Sequence, residues 1–308
     1  VAKIGIVTDS TAYLPCGFKQ LYQIEVVSLI VNFEGASVPE DEMDYDRFYD
    51  RLRLASHLPT TSQPSVGDFL DAYRRVAEYA DSIISIHLTG GISGTVKTAA
   101  AASQMLYPLD ITVIDSHSTS VGLYLAVEAA ARAVEAGLSK EEVLEIVDYV
   151  VGHSLTLFTI DTLEYLRRGG RIGAAAAVLG NLLQIKPILF FDRNKDVIDV
   201  FEKVRTRGRA LQRILEVVQK QGPDIRVCVA HAGDETMGQK LRSRVKAIYP
   251  HLNPELCPMG PVTGAHGGRG TVGLSFYPLI PQVARLFPVK WRDDNIVTQG
   301  TAMALSGV

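Results

Sequence analysis

The residues of this chain best able to hold or attack a ligand fall in three stretches. Thr89-Gly90-Gly91-Ile92-Ser93-Gly94-Thr95 is a turn of small and hydroxyl-bearing residues. Pro59-Thr60-Thr61-Ser62-Gln63-Pro64-Ser65 sets four hydroxyls in a proline-stiffened segment. Residues 263–273 place five glycines around His266 and Arg269, a composition that lets backbone approach a ligand closely. Two kinds of chemistry follow. Hydroxyls and free backbone N–H groups at a helix start favour an anion such as a carboxylate or phosphate. A serine that meets a histidine in space could instead form a nucleophile and its base.

The nucleophile is the more weakly encoded of the two. Gly91-Ile92-Ser93-Gly94 approaches the Gly-x-Ser-x-Gly turn of serine hydrolases, but Thr95 takes the last position. No acid is visibly paired with His266. A serine hydrolase or acyltransferase using Ser93 and His266 is therefore the alternative reading. Nucleotide binding has less support: the first βα turn has no Gly-x-Gly-x-x-Gly, and Gly-x-x-x-x-Gly-Lys-Ser/Thr occurs nowhere. No metal is expected, since the seven histidines form no His-Glu-x-x-His and Cys16, Cys228 and Cys257 are far apart. Three cysteines cannot all pair, and a reducing cytoplasm is the simplest compartment.

The elements that must position these groups can be read from the apolar pattern. Residues 82–87 are a β-branched run of strand length, and the turn after them leads into the Ala-rich segment 96–102. Strands are also expected at 3–7, 25–33 and 110–116, with helices over 45–54, 66–80 and 123–136. Asp44, Ser65 and Ser139 read as helix caps and Gly137 as a helix-ending glycine. The segment 59–65 is open to two readings: a loop whose Ser65 merely caps a helix, or a hydroxyl surface for a carboxylate. The acidic run 39–44 reads as a solvated face and a helix start. Strand–helix alternation in this half predicts a parallel sheet covered on both faces.

The second half is patterned differently. Strands are expected at 155–160, 185–191, 196–204 and 225–230, and helices at 174–180 and up to 219, without strict alternation. Asp161 is expected to cap the helix that presents Leu163 and Leu166. The chain is thus read as a three-layer α/β domain with a parallel sheet over 1–155, an α+β domain with a mixed sheet over 156–285, and a poorly ordered tail over 286–308.

Of the 308 residues, 47% are hydrophobic and 21% charged, and the formal net charge is −3. That balance argues against nucleic acid as a partner. No apolar run approaches the roughly 20 residues that span a bilayer, and the opening Val1-Ala2-Lys3 does not look like a secretory signal.

Several of these stretches together resemble the DegV family of bacterial lipid-binding proteins, which includes the fatty-acid-carrying subunit of fatty acid kinase. The matching pieces are residues 3–10 (Lys-Ile-Gly-Ile-Val-Thr-Asp-Ser), the Pro-Thr-Thr-Ser-Gln-Pro-Ser at 59–65, Ile92-Ser93-Gly94-Thr95 and Val113-Ile114-Asp115-Ser116. Further matches are the Asp-Thr-Leu-Glu-Tyr-Leu-Arg-Arg-Gly-Gly-Arg-Ile-Gly at 161–173, Ile185-Lys186-Pro187-Ile188-Leu189 and the Gly-rich loop around His266. The resemblance implies a long-chain fatty acid such as palmitate, stearate or oleate between two domains, and no cofactor. It places the carboxylate on Thr61 and Ser93, with Ser62, Gly94, Thr95 and His266 beside them. It also implies a non-enzymatic carrier role, with the ATP-binding subunit of a fatty acid kinase as partner and Arg205 in the docking surface. A monomer with at most transient membrane contact completes that expectation. Two departures stand out. The family's Ser-Ser-x-x-Ser-Gly-Thr reads Thr-Gly-Gly-Ile-Ser-Gly-Thr here, and Arg269 stands where a proline is common.

A lipid also fits the energetics. Burying about 15 methylenes at roughly 0.8 kcal/mol each gives on the order of 12 kcal/mol gross, whereas a helix N-terminus adds only about 0.3–2 kcal/mol for the carboxylate. The tail would set affinity and the head-group site orientation. Whether the Ala- and Leu-rich helices line a tunnel or fill a core is left open by their composition; the resemblance implies a tunnel.

Overall fold

The computed structural model describes residues 3–177 and 185–287. Three sheets organise it. The first is a four-stranded parallel sheet in the order β2-β1-β6-β7, formed by β1 (Ile4–Asp9), β2 (Glu25–Val27), β6 (Ser82–His87) and β7 (Asp110–Asp115). All six residues of β6 are buried, as an apolar central strand of a parallel sheet requires. The second is a small antiparallel sheet of β3 (Ile30–Phe33), β4 (Ala36–Pro39) and β5 (Thr60–Ser62).

The third sheet has six strands in the order β10-β9-β8-β13-β11-β12. It contains β8 (Leu155–Thr159), β9 (Lys186–Asp192), β10 (Val197–Val204), β11 (Ile225–His231), β12 (Glu255–Pro258) and β13 (Val272–Pro278). Only β11 and β12 run parallel; the other pairs are antiparallel, so the sheet is mixed.

The helix Val121–Glu135 joins the two large sheets, packing on β1 and β6 from one and on β8, β11 and β13 from the other. A helix covered on both sides must be apolar all round, and its run of alanines and leucines is buried from Val121 through Ala133. Small side chains let both sheets approach it. Its one buried acid, Glu128, accepts hydrogen bonds from Arg132 (3.1 Å) and from Arg226 on β11 (2.9 Å).

Most expected caps are present. Asp44, Ser65 and Ser139 each accept from a backbone N–H in the first turn of their helices, and Gly137 takes φ +78° just after Glu135 and Ala136. Four expectations change. The single strand expected over 25–33 is two, β2 and β3, because Ser28 and Leu29 break it and send its ends into different sheets. Residues 60–62, read as a loop, form β5 along β3. Asp161 caps nothing: the helix Glu164–Arg168 starts after Leu163, with Thr162 Oγ1 accepting from Glu164 N, while Asp161 pairs with Arg207 at 3.5 Å. The Gly-rich stretch is not all loop either, since Pro261–Gly267 is helical with proline in its first turn. Of the helix expected over 174–180, residues 173–177 wind as a 3-10 helix and the rest lie outside the described residues, as does the tail from 288 onward.

Candidate functional site

Where the three sheets meet there is a cavity of about 310 Å³, at the lower end of the roughly 300–1,000 Å³ usual for small-molecule sites. Its walls come from both halves of the chain. Leu29 and Thr61 belong to the small-sheet region, and Leu88, Ile92 and Ser93 follow β6. Phe158, Phe191, Ile198 and Leu274 come from the six-stranded sheet, and Val262 and His266 from the helix Pro261–Gly267. Most of this lining is hydrocarbon. The apolar residues therefore surround a space as well as a core.

Two pairs of polar groups stand in that wall. Thr61 Oγ1 and His266 Nε2 share a hydrogen bond of 2.8 Å across 205 positions of sequence. Ser93 Oγ lies 2.8 Å from Thr95 Oγ1 and accepts from Thr95 N at 3.3 Å, at the start of the helix Thr95–Met105. Thr95 is itself fully buried and serves Ser93 rather than the cavity. Ser62 reaches the cavity edge, but its hydroxyl accepts from Asn32 Nδ2 at 3.1 Å on the exposed side of β5. The strand's alternation thus separates the two hydroxyls.

Glycine is required at two points of this framework. A Cβ on Gly94 would run into the side-chain amide of Gln63, whose Nε2 donates to Thr98 Oγ1 at 2.5 Å. The β5 segment and the Ser93 turn can close on each other only without it. A Cβ on Gly169 would strike His266 Nδ1, so the imidazole packs directly on that backbone. Arg171 ties the same region together, donating through Nε to Ile92 O at 3.1 Å and through an Nη to Gly169 O at 2.7 Å. Arg171 thus links carbonyls of the two halves while also lining the cavity.

The electrostatics of His266 follow from this packing. Burial, with help from the Arg171 charge, pushes its pKa down to about 4. The imidazole is therefore neutral near pH 7. If Nε2 carries the proton it donates to Thr61, which leaves the Thr61 O–H free to point at an acceptor. His266 Nδ1 is buried and has no hydrogen-bond partner. No acid orients it, and its Nε2 bonds Thr61 rather than Ser93, so the nucleophile–base pair of the hydrolase reading is not assembled.

Sequence reasoning missed Glu40. Placed by the acidic run in a solvated face, it is in fact fully buried and accepts from Ser10 Oγ at 2.5 Å, Tyr13 O–H at 3.0 Å and Val262 N at 2.7 Å. Burial raises its pKa to about 7. Tyr13 continues the network to Thr263 Oγ1 (2.7 Å) and accepts from Thr263 N (3.0 Å). Glu40 and Tyr13 thereby hold the first turn of the helix that carries His266. Pro39, the last residue of β4, leads directly into the 3-10 turn Glu40–Glu42 that carries the acid.

Two expected residues lie elsewhere. Arg205 is exposed directly after β10 and is not in the cavity wall. Arg269 pairs with Asp50 at 3.1 Å on the surface, so the replaced proline leaves the cavity lining untouched. Among the described residues, one group of side chains could hold a metal ion. In it Asp115, His117 and Asp196 bring three ligand atoms within 4.8 Å of one another. Its carboxylates already accept from Gly90 N (2.9 Å) and Thr89 O–H (2.9 Å), clasping the Ser93 turn to the β9–β10 hairpin.

Comparison with known proteins agrees with this architecture. Protein DegV of Bacillus subtilis is 38% identical over 277 residues, covering 88% of this chain and 98% of that protein. The crystal structure of DegV from Bacillus subtilis, a fatty acid binding protein, superposes with a TM-score of 0.84 at 36% identity, over 91% of this chain and all of the other. A DegV family protein from Thermus thermophilus, described by its fatty acid binding, gives a TM-score of 0.84 at 34% identity over 90% of this chain and 100% of the other. The family model described as an uncharacterised protein, DegV family, matches residues 3–279. With that match spanning nearly the whole chain, this protein belongs to the DegV family.

Proposed function

We propose that this protein is a non-enzymatic carrier that binds one long-chain fatty acid and presents its carboxylate to a partner kinase. The observation that carries the reading is the Thr61–His266 hydrogen bond set in an otherwise mostly apolar cavity, in a chain whose similar structures include fatty acid binding proteins. Thr61 and Ser93 would donate to the carboxylate, with Gly94 and His266 beside them, Thr95 acting only through its hydrogen bonds to Ser93 and Ser62 only at the cavity edge. A neutral His266 suits that role: it orients Thr61 without taking the ligand's proton. The tail would lie against residues such as Phe158, Ile198 and Leu274.

Delivery follows from where the head group would sit. Ser62 and Gln63, next to Thr61, are exposed, so a second protein can reach a carboxylate held there. The partner would transfer the γ-phosphoryl of ATP to a carboxylate oxygen, forming an acyl phosphate and ADP. Arg205, exposed after β10, is the proposed docking residue.

Solvent extraction of freshly purified protein followed by mass spectrometry tests the reading. One equivalent of a fatty acid of the palmitate, stearate or oleate class is expected. A protein that carries none and takes up none from solution would overturn it. Stoichiometric labelling of Ser93 by a fluorophosphonate would instead establish the hydrolase.

A further inference from the structure

The carrier reading gives no work to the buried acid that is wired to the cavity wall. Glu40 and Tyr13 are buried behind that wall, whereas Thr263, half-buried, is part of it. Thr263 and His266 stand three residues apart on the helix Pro261–Gly267, which puts both on its cavity face. Tyr13 joins the two sides: its phenol oxygen lies 3.0 Å from Glu40 Oε1 and 2.7 Å from Thr263 Oγ1, and it accepts from Thr263 N at 3.0 Å. A Cβ on Gly260 would meet Glu40 Oε1 and the Tyr13 ring at 2.6 Å, so the helix start rests directly on this pair. A phenol has one proton. Tyr13 can donate it to Glu40 or to Thr263, but not to both.

Glu40 decides which. Ionised, it only accepts, so Tyr13 donates to it and the Thr263 O–H turns back to the Tyr13 oxygen. Protonated, it must donate. Its Oε2 lies 2.5 Å from Ser10 Oγ, which accepts from Leu29 N and has no other acceptor for its own proton among the described residues. A proton on Oε1 therefore keeps every bond, the one from Val262 N included. It goes to the Tyr13 oxygen, Tyr13 donates to Thr263 Oγ1, and the Thr263 proton is released toward the cavity. The other titratable groups around Glu40 are Asp9 on β1, Tyr13 in the turn after it, and Tyr45 and Tyr49 on the helix Tyr45–Leu54. None of these is a cation that would hold Glu40 ionised, and with a pKa of about 7 both of its forms are populated near neutrality.

We propose that Thr263 is a further head-group residue that donates to the ligand carboxylate when Glu40 is protonated, so that the fatty acid and a proton bind together. This rests on the carrier reading. An ionised carboxylate offers about four acceptor sites, so a hydroxyl donor in addition to Thr61 and Ser93 finds a lone pair free. The coupling is reciprocal: a carboxylate that takes the Thr263 proton favours protonated Glu40, and a proton on Glu40 favours the carboxylate.

The test is calorimetric titration of the delipidated full chain with oleate at pH 7, in two buffers of different ionisation enthalpy, which counts the protons exchanged. Glu40 is half-protonated before binding and mostly protonated after it, so the parent is expected to take up about half a proton more than Glu40→Gln. That difference cancels any proton exchanged by the ligand itself. In Thr263→Val the extra uptake should vanish. The parent should bind oleate about tenfold more tightly than Thr263→Val at pH 6 and only about twofold more tightly at pH 8. Equal proton counts for the parent and Glu40→Gln overturn the proposal. So does extra uptake that persists in Thr263→Val, which would leave charge repulsion alone as the coupling. Should either variant not fold, the crystal structure of the parent with oleate decides. A carboxylate oxygen within hydrogen-bond distance of Thr263 Oγ1 supports the relay, and a carboxylate without that contact overturns it. Oleate bound with no proton uptake would sink this relay alone, while no binding of any fatty acid would sink the carrier reading as well.

Discussion

Gly169 lies so close to His266 that a side chain on it would occupy the space of the imidazole Nδ1. This contact presses the ring against backbone on one side while Nε2 bonds Thr61 on the other at 2.8 Å. The histidine is held at both edges, and its burial there accounts for its low basicity.

The acid limb of stability should therefore carry the signature of His266. Its pKa in the folded chain is about 4 against an ordinary 6.5, so the unfolded chain binds more protons between those values. The stabilisation is complete above pH 6.5 and is lost as pH falls toward 4, on the order of 3 kcal/mol in all. In thermal melts His266→Gln is expected to flatten this limb. An unchanged acid limb would show that the ring's basicity is not lowered in the folded chain.

Glu40 should act with the opposite sign. Its pKa of about 7 lies above the ordinary 4.5, so the folded chain binds the extra proton. Its contribution is complete below pH 4.5 and lost as pH rises through 7, again on the order of 3 kcal/mol. Glu40→Gln, melted beside the parent from pH 5 to 8, should gain stability relative to it as pH rises. A constant difference across that range would contradict the raised value.

Thr61→Val keeps a β-branched residue on β5 and removes one donor to a charged acceptor. Fatty acid affinity is expected to fall by about 10- to 100-fold, by the same factor for palmitate and stearate. Fluorescent fatty acid displacement measures both. A factor that changes with chain length would place Thr61 beside the tail and not the head.

Ser93→Ala should weaken fatty acid retention only modestly, because the tail supplies most of the affinity. Acyl phosphate formation with the proposed partner kinase should fall much further, since the carboxylate would lose an orienting contact. Equal turnover for variant and parent would remove Ser93 from the delivery step.

Local sequence determined the elements and most of their ends. β-branched runs form β1, β6 and β7, and Asp44, Ser65 and Ser139 cap the helices they precede, because strand propensity and cap geometry depend on residues a few positions apart. The family resemblance also named Thr61, Ser93 and His266 together, and all three line one cavity. Only the tertiary structure decided which of them touch: His266 meets Thr61 and not Ser93. It also buried Glu40 and split the apolar run 25–33 between two sheets. The same hydrocarbon composition lines a cavity at Phe158 and Ile198 and fills a core at Leu157 and Ile188. Burial and partnership depend on which distant segments close on a residue, and hydrophobicity, being non-directional, records that an apolar side chain leaves water but not whether protein or a ligand takes the water's place.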